Sequence, residues 1–248
     1  MIEIIDLHKK LSGQTVLKGI DLVINRGETL TIIGRSGEGK SVLLKHIIGL
    51  FRPDSGNIRV DGENITRHKT SDLYRLRRRF GVLFQGSALF DSLTVGENVG
   101  LALREHKTFP EYEIRRIVAE KLARVDLKGA ENKKPAELSG GMKKRVGLAR
   151  AIAMSPEYIL YDEPTTGLDP ITADSINDLI IQLKTDLNIT SIAVTHDMAS
   201  AYKISDRIAM LFDGRIIAIG TPEEIKNSDS EAVQQFVTGK AKGPITDF

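Results

Sequence analysis

Gly34-Arg35-Ser36-Gly37-Glu38-Gly39-Lys40-Ser41 fits the pattern G-x-x-x-x-G-K-[ST] at every defined position. The residues before it, Thr29-Leu30-Thr31-Ile32-Ile33, read as a short buried strand. Those after it, Val42 to Leu50, place apolar side chains at 43, 44, 47 and 48, which is helical spacing. A strand, a glycine-rich turn and a helix N-terminus together make an anion site. The glycines let successive N–H groups curl toward phosphate oxygens, and the helix dipole adds partial positive charge. Lys40 is placed to reach the outer phosphates of a nucleoside triphosphate, and Ser41 to ligate Mg²⁺.

Working outward from this loop, the chain reads first as strands and then as helices. Ile2–Ile5, Leu17–Ile24 and Thr29–Ile33 are strand runs separated by the turns Ser12-Gly13 and Arg26-Gly27. Pro53-Asp54-Ser55-Gly56 is a turn before a strand at Asn57–Val60, and Asp61-Gly62 closes a hairpin. Phe80–Phe84 is another short apolar run. From about Phe109 the period changes: Ile114, Ile117, Val118, Leu122 and Val125 recur helically, as do Met142, Val146, Ala149, Ile152 and Ala153. Residues 86–156 are therefore expected to form a helical subdomain. Strand signals return at Tyr158–Tyr161, Thr190–Val194 and Ile208–Phe212 with helices between, which predicts an α/β core of mostly parallel strands.

Composition narrows the class. The 248 residues are 41% hydrophobic and 27% charged, ordinary for a globular chain long enough to bury a large core. A net charge of +2 and a sequence pI near 8.7 give no signal for nucleic acid. The basic run Arg75-Leu76-Arg77-Arg78-Arg79 has no aromatic platform beside it. It is expected to be a solvated face, or to meet phospholipid headgroups or acids of a membrane partner. No run of about 18 apolar residues is present, so no spanning helix is expected. Cysteine is absent, which excludes disulfides and thiolate metal sites. The N-terminus has acids at 3 and 6 instead of a basic-then-apolar leader, and the expected location is cytoplasmic.

Three further segments carry chemistry. Tyr158-Ile159-Leu160-Tyr161-Asp162-Glu163 is an apolar strand ending in two acids, at the strand end where α/β proteins bind ligands. Solvated strand ends often carry acids as well, so this signal gains weight only beside the phosphate loop. Asp162 is placed to hold Mg²⁺ and Glu163 to polarise a water that attacks the γ-phosphate. Leu138-Ser139-Gly140-Gly141-Met142 is, on composition alone, either a capped helix start or a second anion site.

Taken with Gln85 after its strand, Gly167-Leu168-Asp169 beyond the two acids and His196 after the strand at 190–195, these segments resemble the ATPase subunits of ABC transporters. Their order and spacing are those of the family's Walker A, Q-loop, signature, Walker B, D-loop and H-loop, across nearly the whole chain. The resemblance implies a P-loop NTPase fold of the α/β class, an ABC-type nucleotide-binding domain with an antiparallel β subdomain and an inserted α-helical subdomain. It would span residues 1–238, with a tail at 239–248.

The resemblance also implies roles. ATP would be held by Gly34, Arg35, Ser36, Gly37, Glu38, Gly39, Lys40, Ser41 and Val42, and Mg²⁺ by Ser41, Gln85 and Asp162. Glu163 would be the general base, His196 would contact the γ-phosphate, and Gln85 would report to the membrane partner. Two copies would pair head to tail, so that Ser139, Gly140 and Gly141 of one touch the γ-phosphate on Lys40 of the other, with Asp169 coupling the sites. Two positions depart from the family pattern. Met142 ends the signature where Gln is usual, and Leu11 stands where an aromatic ring usually meets adenine, offering apolar contact without an aromatic face.

Met142, the stretch from Leu83 to Val95, Leu103-Arg104-Glu105-His106, and Val233–Gly239 with Gly243-Pro244 resemble the lipid-asymmetry (Mla, MCE-associated) branch of that family. That resemblance implies phospholipid transport through a separate integral membrane permease, with an MCE-domain lipid-binding protein as a further partner. The ATPase would be peripheral on the cytoplasmic face of the inner membrane. Ala88–Val95 would be the floor for the permease's coupling helix. A polar-solute importer, such as an amino-acid system, is the alternative within transport. Soluble ABC proteins of ribosomes or DNA usually carry two ATPase halves or a long coiled-coil insertion, and this sequence has neither.

Overall fold

A computed structural model describes residues 1–106 and 109–245. In chain order the strands and helices are β1 (Ile2–Leu11), β2 (Gln14–Ile24), β3 (Thr29–Ile33), α1 (Lys40–Ile47), β4 (Ser55–Val60), β5 (Glu63–Asn64), α2 (Thr70–Arg77), β6 (Phe80–Leu83), α3 (Val95–Glu105) and α4 (Glu111–Arg124). They continue with α5 (Gly140–Ala151), β7 (Tyr158–Asp162), α6 (Pro170–Leu187), β8 (Thr190–Thr195), α7 (Met198–Ile204), β9 (Arg207–Phe212), β10 (Arg215–Gly220), α8 (Pro222–Lys226) and α9 (Glu231–Thr238). The chain forms two compact units, one of residues 1–74 with 192–248 and one of residues 75–191.

In the first unit, β2-β1-β4-β5 make an antiparallel sheet. Two of its turns are Ser12-Gly13 and Asp61-Gly62, with φ of +49° and +83°, and of +51° and +83°. Positive φ at both central residues is the tight hairpin geometry that matches strand twist, and Asp or Ser followed by Gly tolerates it. β1 and β2 run longer than their apolar residues alone suggest, because pairing continues through polar ends to Leu11 and Gln14. The third such turn, Asp213-Gly214 (φ +46° and +72°), joins β9 to an antiparallel β10.

The five residues of β3 are all buried, and β3 lies parallel to β9 with Leu30 opposite Arg207 and Ile33 opposite Met210. That pairing delivers the chain to Gly34. Beneath it, Ile33, Ala201, Ile208, Met210, Ile225, Val233 and Ile245 form one apolar cluster. The expected tail is thus docked as far as Ile245: its N–H donates to Gln235 Oε1 at 2.8 Å inside the fold. Residues 246–248 of that tail lie outside the described residues.

Helix α1 carries a buried histidine. His46 Nδ1 lies 2.8 Å from the Val42 carbonyl oxygen, the ring meets Phe51 edge-on, and Nε2 has no hydrogen-bond partner among the described residues. Burial holds the imidazole below its ordinary pKa of 6.5. The unfolded chain therefore binds this proton more readily than the fold does. The stabilisation is complete above about pH 6.5 and falls as pH drops toward the folded value. Thermal melts between pH 8 and pH 5 are expected to show this loss, and His46→Gln is expected to flatten the slope.

In the second unit, β6 and β7 are parallel, Phe80 opposite Tyr158 and Leu83 opposite Tyr161. Helix α5 lies on β6 at two glycines. A Cβ on Gly81 would stand 2.3 Å from the Ala151 carbonyl oxygen, and one on Gly147 would stand 2.6 Å from Leu83 Cδ1. Helices α3, α4 and α5 all fall within residues 86–156, with Val99, Leu103, Ile114, Val118, Leu122 and Val146 buried. Of the basic run, Leu76 is buried and Arg79 makes a two-pronged pair with Glu157 at 2.7 and 2.8 Å. Among the described residues no helix is long and apolar enough to cross a membrane.

Candidate functional site

The loop between β3 and α1 is shaped by what surrounds it. A Cβ on Gly34 (φ +150°) would stand 2.3 Å from the Leu211 carbonyl oxygen, and one on Gly39 (φ +99°) would stand 2.7 Å from Val16 Cγ1. Gly37 (φ +89°) has open space where its Cβ would be. Only glycine therefore fits at two of these positions for want of room, and at the third a side chain would strain the backbone. Three polar contacts hold the loop: Arg35 Nη1 to the Ile245 carbonyl oxygen at 2.9 Å, the Asp213 N–H to Glu38 Oε2 at 2.8 Å, and Lys40 Nζ to the carbonyl oxygens of Gly34 and Arg35 at 2.6 and 2.9 Å. Lys40 is only 6% exposed.

Gly39 is the N-cap of α1 and brings no side chain to cap it, and the first turn holds no acidic residue. That helix start is suited to an anion. In the same unit His196 is exposed just after β8. Its neighbours fix the turn: the Asp197 N–H donates to Thr195 Oγ1, and Asp197 accepts from Ala199 N–H and Ser200 Oγ to start α7.

The second unit holds the other predicted residues. Ser139 caps α5 by accepting from the Met142 N–H at 3.3 Å. Gly140 and Gly141 pack on the start of α6, where added Cβ atoms would stand 3.4 Å from Leu168 Cδ2 and 2.5 Å from Thr172 Cγ2. Asp169 caps α6, accepting from the N–H groups of Ile171 and Thr172 and from Thr172 Oγ1. These bonds, the Thr172 hydroxyl first, hold its carboxyl below the usual aspartate range. The signature and D-loop residues are therefore neighbours within one chain.

Asp162 ends β7, and Glu163 follows with φ +51° at 8% exposure. A left-handed conformation at a residue with a Cβ costs about 1–2 kcal/mol. Thr166 Oγ1 donates to Glu163 Oε2 at 3.0 Å, which orients the carboxylate. Gln85 is exposed beyond β6, and the next turn holds two more left-handed residues, Ser87 (+60°) and Ala88 (+45°). The Arg150 guanidinium on α5 donates to both their carbonyl oxygens.

Sequence reasoning passed over two residues here, Arg150 and Lys144. Lys144 Nζ donates to the carbonyl oxygens of Gln85 at 2.5 Å and Glu163 at 3.0 Å. A signal for Lys144 was present: residues 141, 144, 148 and 151 form one buried stripe of α5, and a lysine stands in it.

A buried strand entering a glycine loop that turns into an uncapped helix, with its lysine folded back on the loop, is the framework of the P-loop nucleotide hydrolases. Comparison with known proteins narrows the class. The ABC transporter family model matches residues 17–166, and the chain belongs to that family. Over 244 residues it is 43% identical to the probable ribonucleotide transport ATP-binding protein mkl of Mycobacterium bovis, covering 98% of this chain and 68% of that one. Over 245 residues it is 42% identical to the intermembrane phospholipid transport system ATP-binding protein MlaF of Haemophilus influenzae, covering 99% of this chain and 93% of that one. Among solved structures it is similar to the ATP-binding cassette MJ0796, determined as a dimer in a post-hydrolysis state with ADP and Pi. The TM-score is 0.82 and the identity 33%, over 90% of this chain and 99% of that one. The chain is accordingly an ABC ATPase that binds nucleotide and hydrolyses ATP.

Proposed function

We propose that ATP hydrolysis by this chain energises phospholipid movement through a separate membrane permease, with an MCE-domain lipid-binding protein as a further partner. The observation that carries the lipid reading is the likeness to MlaF, which runs over 93% of that protein, against 68% for the ribonucleotide-named relative. The domain is assigned to residues 1–238, its helical subdomain to 86–156 and its tail to 239–248. In this reading the chain would sit on the cytoplasmic face of the inner membrane through its permease. Phe90, 53% exposed within the stretch after Gln85, suits an apolar contact with that partner.

Gly34 to Val42 hold the triphosphate in this reading, and Lys40 offsets charge on its outer phosphates. Mg²⁺ would be held by Ser41, Gln85 and Asp162 together with phosphate oxygens, and would neutralise charge there. The side-chain oxygens of these three residues are the kind of ligand this ion takes. Glu163 takes a proton from water as the oxygen attacks the γ-phosphorus and ADP leaves, while His196 contacts the γ-phosphate. Two copies pair head to tail, each lending Ser139, Gly140 and Gly141 to the other's ATP, with Asp169 coupling the sites. Ile171, 84% exposed beside Asp169, supports a covered surface there.

The test is a mass-spectrometric inventory of what copurifies with tagged Glu163→Gln from its own membranes in ATP and mild detergent. A permease, an MCE-domain protein and bound phospholipid are the expected result. A permease with a polar-solute-binding protein, or with bound ribonucleotide, moves the assignment to nutrient import.

A further inference from the structure

We infer that Lys144 is a positioning residue for hydrolysis: it fixes the strained turn that presents Glu163 and ties that turn to the Gln85 loop. The inference rests on the reading of Glu163 as the base.

Two backbone carbonyls, one beyond the end of β6 and one beyond the end of β7, meet the same ammonium, at 2.5 Å for Gln85 and 3.0 Å for Glu163. Two carbonyl oxygens repel each other, so a shared donor is what lets both loops approach one point. Lys144 is only 4% exposed, and burying an ammonium is unfavourable unless it is hydrogen-bonded and near opposite charge. Both conditions are met, since Asp162 and Glu163 supply negative charge beside it. Burial is nonetheless the largest influence on the amine, and holds its pKa below the ordinary lysine value.

The Glu163 backbone needs such a hold. It is in the left-handed region with a proline next in sequence, and a residue before proline prefers extended backbone. Local preference therefore opposes the observed turn, and tertiary contacts must maintain it. The Thr166 hydroxyl holds the carboxylate end. At the main-chain end Lys144, at 3.0 Å, shares the Glu163 carbonyl oxygen with the Thr166 N–H, which donates at a longer 3.4 Å. A third link comes from α5 itself, which starts at Ser139-Gly140-Gly141 and carries Lys144 one turn later. One side chain thus joins the signature helix, the Gln85 loop and the Glu163 turn of the same chain. Arg150, two turns further along, instead supports the turn after Gln85, donating to the carbonyl oxygens of Ser87 and Ala88.

The test compares Lys144→Met and Lys144→Gln in the purified full-length chain, with Glu163→Gln measured in parallel. Methionine fills the space without donating. Its kcat is expected to fall roughly 10- to 100-fold with KM for ATP within about threefold, the pattern of an interaction that matters to the chemical step and not to ground-state binding. The shorter glutamine carboxamide reaches one carbonyl, so its kcat should lie between methionine and wild type, with KM again unchanged. If Lys144→Met does not fold, the glutamine variant decides alone: a several-fold loss in kcat at constant KM supports the role. Wild-type kcat in either folded variant, or a rise in KM and a fall in melting temperature with no gradation in kcat, overturns it. A dead Glu163→Gln beside a normal Lys144→Met rejects the positioning role alone. A fully active Glu163→Gln rejects the base reading on which the inference stands.

Discussion

Lys40→Ala is expected to lower both nucleotide affinity and ATP turnover, with hydrolysis reduced by roughly 10²–10³-fold, the loss found when one preorganised charge-stabilising donor is removed. The side chain has two functions that alanine cannot supply. Its ammonium adds positive charge to a loop whose backbone donors are neutral N–H groups, and Arg35, the other cation of the loop, is turned to the Ile245 carbonyl oxygen. It also bonds to the carbonyl oxygens of Gly34 and Arg35 from a position 6% exposed, and so braces the loop across its own mouth. Alanine at the first residue of α1 is a good helix former, so the helix itself should persist. Nucleotide titration and phosphate release read the two effects separately, with circular dichroism confirming the fold. Unchanged hydrolysis would remove the phosphate-loop assignment.

The parts of the structure legible in the sequence are those where neighbours in the chain are neighbours in space. The phosphate loop is one contiguous strand, turn and helix, and β3 occupies the five residues its apolar run defines. The Ser12-Gly13 and Asp61-Gly62 turns were equally local. Strand β10 escaped notice because its isoleucines are half-exposed and a register shift between Ile216 and Ala218 breaks the alternation, although Asp213-Gly214 before it is the same turn signal. The docking of Ile245 depends on Gln235, ten residues before it, and on Arg35, from the far end of the chain, and a short segment with two glycines and a proline gives no hint of it. The left-handed backbone of Glu163 was likewise hidden. Nothing in Asp-Glu-Pro announces it, because a lysine nineteen residues earlier, on α5, helps to maintain it.

Glu163→Gln separates binding from chemistry more cleanly than any other substitution in the chain. Glutamine has the same shape, and its carbonyl oxygen can still accept from Thr166 Oγ1, so the side chain should stay where the carboxylate is. The Lys144 bond goes to the main chain and is unaffected by the change. What is lost is the ability to accept a proton from the attacking water, and removal of a positioned general base lowers rates by about 10²–10⁴-fold. The phosphate loop is untouched, so ATP should still bind. A copy that binds ATP and cannot cleave it should keep whatever contacts ATP supports, and exposed Ile171, two residues after the N-cap Asp169, stands where a second copy would cover it. The expected result is therefore a variant that elutes as a dimer in ATP, returns to monomer when nucleotide is removed, and releases almost no phosphate. A variant that hydrolyses ATP at the wild-type rate assigns the base to another group. One that is inactive yet monomeric in ATP keeps Glu163 as the base and removes the head-to-tail pairing.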